Sequence, residues 1–254
     1  MTVFQRVVKY CAIAFAVYLV IMIIGGILAG IGGLSFLSDR FGGGDETGEQ
    51  KIFTLSQDIG EIEMEIGAVD CDILTGESFY AESNSSKLEI KEANGRLLIT
   101  DSTRNPKTPV KVKLYIPEDA NIEKIDISAG AGDIYAERLV CSSLYLECGA
   151  GNVEIVEAVA TVKADIEGGV GEITIGGGTL NDLDLEMGVG NLDLINRLKG
   201  DCDLEFGIGD ADITLIGTAE DYMINYGSED AGTKTAVNID KGIGTVKIDY
   251  AQAG

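Results

Sequence analysis

Carboxylates recur at fixed intervals along the second half of this chain. One set of equivalent positions reads Asp126, Tyr145, Asp165, Asp184 and Asp203. The set two residues further on reads Ser128, Glu147, Glu167, Glu186 and Glu205. Pairs of this kind can divide acid and base roles in glycosidic-bond cleavage. A ladder of them could also ligate calcium through oxygen. The third reading is a solvated face that keeps a sheet soluble and discourages association. The repetition favours the third, because Asp184 and Glu186 are copies of Asp203 and Glu205, and no long loop builds a cleft around one pair. The glycine-rich calcium repeat needs Asp two positions after its last glycine. Ile134, Val153, Ile173, Leu192 and Ala211 stand there instead. The expectation is a chain that is not an enzyme, with no catalytic residue, no metal ligand and no cofactor.

Composition points the same way. Histidine is absent, which removes most nucleophile–base arrangements and the commonest transition-metal ligand. A net charge of −23 repels phosphates, so nucleic acid is not an expected partner. The 45% of hydrophobic residues is enough to build a core rather than a disordered tail.

A repeat must position the acids. Gly-x-Gly begins at Gly130, Gly149, Gly169, Gly188 and Gly207, at steps of 19 or 20 residues, and closes at Gly132, Gly151, Gly171, Gly190 and Gly209. An acid or amide follows each copy: Asp133, Asn152, Glu172, Asn191 and Asp210. One Gly-x-Gly carries no information, but five in register mark a repeat architecture. Apolar and polar residues alternate on both sides of each copy, which is the period of a strand. The glycines suit a sharp corner, since they accept backbone angles that other residues avoid.

Stacking the copies gives apolar columns. They read Ile127, Leu146, Ile166, Leu185, Leu204; then Ile134, Val153, Ile173, Leu192, Ala211; then Ala136, Ile155, Ile175, Leu194, Ile213. Beside the corners the expected inward pairs are Ala129/Ala131, Cys148/Ala150, Gly168/Val170, Met187/Val189 and Phe206/Ile208. Each copy is then one coil that buries its inner face against the next, with like strands about 4.8 Å apart. The expected fold is all-β: a parallel, right-handed β-solenoid of ~19-residue coils. The regular coils should span about 122–217 within a domain covering 51–254, with irregular capping coils at both ends. Gly67-Ala68-Val69-Asp70 reads as a degenerate early corner, Gly242-Ile243-Gly244 as a late one, and Asn94-Gly95 as a hairpin turn.

The N-terminus is a different object. Residues 10–38 carry no charge and exceed the ~20 apolar residues of a spanning helix. Arg6 and Lys9 precede them, which places residues 1–9 as a short cytoplasmic tail and the bulk outside the cell membrane. The expected architecture is a single-pass transmembrane signal-anchor helix over 10–38 embedded in the lipid bilayer, then a flexible Gly/acidic linker over 39–50. A cleaved signal peptide is the rival reading, with an apolar region of about 7–15 residues. Gly26 and Gly30 form a G-x-x-x-G able to seat a second helix, although glycine is common in membrane helices generally. The five cysteines form no C-x-x-C, so a zinc cluster is not expected. Buried free thiols are the preferred reading, and a Cys141–Cys148 disulfide is the alternative.

The stretch from Thr108 to Ile155 resembles a bacterial family of adhesin-like domains of unknown function built from β-strand repeats. Ile116-Pro117 ending a strand, then Gly130 to Asp133 and Gly149 to Asn152, carry the resemblance, which extends over roughly residues 51–250. It implies a cell-envelope protein behind a membrane segment, and it transfers no catalytic residue. The expected function is a non-catalytic surface module that binds or scaffolds an envelope protein or polysaccharide. The alternatives are an envelope-stress component acting through a membrane partner and, third, a carbohydrate-active β-helix enzyme. Oligomeric state is not readable from the residues.

Overall fold

A computed structural model describes residues 47–104, 109–225 and 234–252. They lie within one compact unit, Asp45–Gly254, and hold no helix. The tail over 1–9, the anchor over 10–38, Gly26, Gly30 and most of the 39–50 linker lie outside the described residues.

The N-terminal end is built from β1 (Thr47–Thr54), β2 (Glu61–Ala68), β3 (Asp70–Gly76), β4 (Tyr80–Ser85), β5 (Leu88–Ala93), β6 (Arg96–Asp101) and β7 (Lys111–Pro117). The middle follows as β8 (Lys124–Ala131), β9 (Ile134–Ala150), β10 (Val153–Ile175), β11 (Gly178–Asn181), β12 (Leu183–Lys199), β13 (Asp201–Ile208) and β14 (Ala211–Ile216). β15 (Tyr222–Asn225), β16 (Thr235–Ile243) and β17 (Val246–Ala251) close the chain. All seventeen belong to one sheet. β1 begins at Thr47, which partners Ser85, so strand structure starts within the stretch expected as linker.

Through the middle the rungs are parallel and in register. Ile127 partners Leu146, Leu146 partners Ile166, Ile166 partners Leu185 and Leu185 partners Leu204. The columns headed by Ile127, Ile134 and Ala136 are buried throughout. Because each rung has half a core, stability here is shared between neighbours rather than held by one coil.

Order in space departs from order in the chain at both ends. β2 pairs with β6 on one side and β8 on the other, and β3 likewise lies between β7 and β9. The chain therefore enters at the second rung, runs outward to build the terminal rung, and returns to the far side of its own starting point. The C-terminal end repeats the device on one face, where β16 lies between β13 and the earlier strand β15.

An open parallel rung would offer unpaired edge groups to other chains. At the N-terminal end antiparallel strands cover it: β4 on β7, β1 on β4, and β5 on β6. Asn94 and Gly95 turn the β5–β6 hairpin with φ of 53° and 77°, the left-handed pair that a tight two-residue turn requires. Phe79 is buried at this end. At the other, Tyr222 is buried and its hydroxyl donates to the Ile216 carbonyl at 2.8 Å.

The corners explain the glycines. Gly132, Gly151, Gly171, Gly190, Gly209 and Gly244 all have φ between 120° and 152°. A Cβ at Gly190 would also collide with the carbonyl oxygen of Gly171 in the rung below. Two independent requirements thus select glycine at one position.

One sequence expectation is corrected here. The middle residues of the Gly-x-Gly motifs, read as inward, are not core. Val170, Val189 and Ile208 are 57%, 44% and 51% exposed, and Ala150 is exposed as well; Ile243, at the late corner, is 72% exposed. The strand alternation does not carry through the corner: the chain has already left the core face when it reaches this residue. Only the first member of each expected pair faces the core, as Ala129, Cys148 and Met187 do.

Candidate functional site

The acidic face comes from the strands that precede each corner. Asp165, Asp184 and Asp203 are in-register partners on β10, β12 and β13. Glu147, Glu167, Glu186 and Glu205 form the parallel column. Both columns run further than the repeats revealed. Asp126 partners Glu63, Asp203 partners Asn238 and Glu205 partners Asp240. The residues before Gly242-Ile243-Gly244 carried this signal, since Asn238 and Asp240 stand at the same offsets from the corner as Asp203 and Glu205.

Charge along this face is unequal. At the N-terminal end each Asp or Glu of the first column has a cation: Arg96 pairs with Glu63, Lys124 with Asp126 at 2.7 Å, and Lys163 with Asp165 at 2.8 Å. Tyr145, the one aromatic in the column, has Lys124 at 4.8 Å and Lys163 at 6.0 Å from its ring centre. Further along, among the described residues, Asp184, Glu186, Asp203 and Glu205 form no ion pair. Partial desolvation, and then the neighbouring carboxylates, push the Glu167 and Glu186 carboxyls above the ordinary range.

The sign follows from linkage. A carboxyl raised in the folded state binds its proton there before the unfolded chain does. Its favourable contribution is full below the unfolded value and is lost as pH rises through the folded one. Acidification from about pH 7 to about pH 5 is therefore expected to raise the melting temperature, and Glu186→Gln to reduce that rise. Screening should mimic the acid. Sodium and calcium chloride at equal ionic strength are expected to stabilise equally, read by thermal melting, because surface repulsion responds to ionic strength.

The residues after each corner have a different task. The Asp133 carboxylate accepts from the Asn152 backbone N–H at 2.9 Å, and the Asn152 amide oxygen accepts from that of Glu172 at 3.1 Å. Asn191 serves Asp210 at 3.2 Å, and Asp210 serves Thr245 at 2.8 Å. Short Asp and Asn side chains thus tie each corner to the next. Among the described residues Glu172, one methylene longer, makes no such bond to Asn191. Asn152→Ala is expected to cost about 1 kcal/mol in urea melts by orphaning the Glu172 N–H.

The first glycines, Gly130, Gly149, Gly169, Gly188 and Gly207, stack beside this ladder. Each faces a backbone carbonyl of the rung below, where a Cβ would crowd it.

Two other features bear on chemistry. An open groove of about 590 Å³ at the N-terminal end is lined by acids Glu65, Glu89, Asp101 and Glu147 and by Lys87 and Arg104. Asp101 is buried and turned to its own chain, accepting from the Thr103 N–H at 2.8 Å. Its other oxygen is shielded from solvent and, among the described residues, has no hydrogen-bond partner. Cys71, Cys141, Cys148 and Cys202 are buried free thiols, so Cys141 and Cys148 are not joined. Burial pushes Cys71 and Cys141 to about 12 and Cys202 to about 11, far from the thiolate that nucleophilic chemistry needs.

Stacked, corner-tied rungs of this kind match the model of a known family, Toastrack DUF4097, over residues 50–248. The chain belongs to the Toastrack DUF4097 family. Among solved structures, this Toastrack chain is similar to a "putative cell adhesion protein" from Clostridium sporogenes. The two are 16% identical with a TM-score of 0.48, covering 80% of this chain and 99% of the other. A "putative adhesin" from Bacteroides fragilis is 12% identical with a TM-score of 0.44, covering 78% and 95%. A "putative lipid binding protein" from Parabacteroides distasonis is 14% identical with a TM-score of 0.34, covering 83% and 98%. No curated protein matches the chain.

Proposed function

We propose that this Toastrack chain is a non-catalytic binding or scaffolding module, held by residues 10–38 at the outer face of a bacterial cell membrane. One observation carries the reading: Asp184 and Glu186 sit in register with Asp203 and Glu205, so the pair is repeated from rung to rung rather than set apart once. Acid–base catalysis singles out one pair of carboxyls held at different affinities for a proton, whereas here the same Asp-x-Glu pair recurs on successive rungs. A row of equivalent sites suits an extended contact instead. The uncharged run over 10–38 supports attachment to the bilayer.

Crosslinking of the intact chain in its own cells, followed by carbonate extraction of membranes, tests this. The expected result is a chain that stays in the membrane and is joined to an envelope protein or polysaccharide. A chain released by carbonate, or one that depolymerises the polysaccharide it is joined to, would overturn it.

A further inference from the structure

The corner carries a feature that core packing does not require. Val170 partners Val189, Val189 partners Ile208, and Ile208 partners Ile243. These four exposed side chains form a continuous aliphatic ridge. The same column begins as Ala68, Ala131 and Ala150, so it grows from Ala through Val to Ile toward the C-terminal end. Like-on-like stacking of β-branched residues favours a parallel ladder, but that leaves Ile243 unexplained. It is the most exposed of the four and, among the described residues, no later rung stacks on it.

Bare glycine backbone borders the ridge on both sides. Three residues before each member lies Glu167, Glu186, Glu205 or Asp240. Residues 163–217 hold twelve carboxylates against Lys163, Arg197 and Lys199; Lys163 is engaged by Asp165 at 2.8 Å, and from outside the stretch Lys247 reaches Asp212 at 3.7 Å. The ridge from Val170 to Ile208 therefore lies where acids most outnumber cations, and Lys241 and Lys247 appear only beside its last member, Ile243.

Charge selects among the occupants that an apolar ridge could take. A second copy would set one acidic flank against another. A bilayer surface would leave those carboxylates unpaired at the interface, and anionic lipids would repel them. A segment that alternates basic and aliphatic residues satisfies both features, because it buries the ridge and pairs the flank. We infer that the Val170–Ile243 ridge and its glutamate flank are the docking surface for a basic, aliphatic protein segment. This deepens the binding-module reading and rests on it.

The test uses the full chain in phosphatidylcholine nanodiscs and two fluorescent twelve-residue peptides, one alternating Lys and Val, the other Lys and Ser. Fluorescence anisotropy is expected to show the Lys–Val peptide bound about tenfold more tightly. The double variant Val189→Thr with Ile208→Thr should lose that preference and keep its melting temperature. Glu186→Gln with Glu205→Gln should weaken both peptides and flatten the salt dependence. Equal binding of the two peptides, or a Lys–Val preference that survives the Thr variant, overturns the inference. Ridge-dependent self-association, or ridge-dependent binding to phosphatidylcholine vesicles, in place of peptide binding also overturns it. Those results leave the binding-module reading standing, since crosslinking in cells decides that separately.

Discussion

Gly190→Ala is expected to be among the most damaging single-methyl additions to this protein, removing at least about 3 kcal/mol of stability in urea melts. Two costs act together. Gly190 has φ of 147°, a conformation that L-residues rarely adopt. Its Cβ would also meet the Gly171 carbonyl oxygen, and a backbone atom in a paired rung cannot move aside without breaking its own ladder. Gly171, Gly209 and Gly244 meet the same obstacle from the rung below, so relaxation at one corner transfers strain to the next. Val189→Ala, one residue away, is the control. Val189 is exposed, and its truncation is expected to stay within about 0.5 kcal/mol. Similar melts for the two variants would show that the corner is not the constrained element described here.

Leu185→Ala should cost about 2–5 kcal/mol, the range for deleting a buried leucine side chain from a packed core. Leu185 is fully buried and stacked between Ile166 and Leu204. Its loss leaves a void shared by three rungs. Because rungs bind mainly to neighbours, loss of amide protection should centre on residues 164–206 and fade toward the hairpin at Asn94-Gly95. Hydrogen exchange read by mass spectrometry checks both the size and the spread. Uniform loss of protection across the whole domain would mean that the solenoid unfolds as one block.

The middle of this fold was legible because its period is short and strict. Five Gly-x-Gly copies fixed the register, and alternation then assigned Leu146, Ile166, Leu185 and Leu204 to the core. Two things were not legible, for different reasons. The corner residues Val170, Val189 and Ile208 are apolar, and period-two reasoning has no way to mark where the chain leaves the core face. The order of the terminal rungs was hidden because parallel pairing carries no sequence mark of which neighbour is used. Glu61–Ala68 could equally lie at the outer end of the stack, with β6 between it and β8, or lie against β8 with β6 outside it. The structure takes the second course, with β6 and β7 laid outside β2 and β3.

The acidic face was half legible. Asp165 to Asp203 and Glu147 to Glu205 were visible as repeats. The Arg96 partner of Glu63 was not, because it reaches across from a different rung of the cap, whereas Lys124 and Lys163 stand two residues before Asp126 and Asp165 on the same strands. The role of Asp133, Asn152, Asn191 and Asp210 as ties between corners needed coordinates as well. Their position after the glycines was plain, but the backbone N–H they serve lies a full coil later in the chain.

The most direct measurement is the spacing along one exposed column. Ala131, Ala150, Val170, Val189, Ile208 and Ile243 are successive in-register partners. Nitroxides carried on unnatural residues at Ala131 and Ile208 should be about 19 Å apart by pulsed electron resonance, and those at Ala131 and Ile243 about 24 Å, one strand spacing more. Equal distances for the two pairs, or a broad distribution beyond about 40 Å, would contradict rungs laid one upon another.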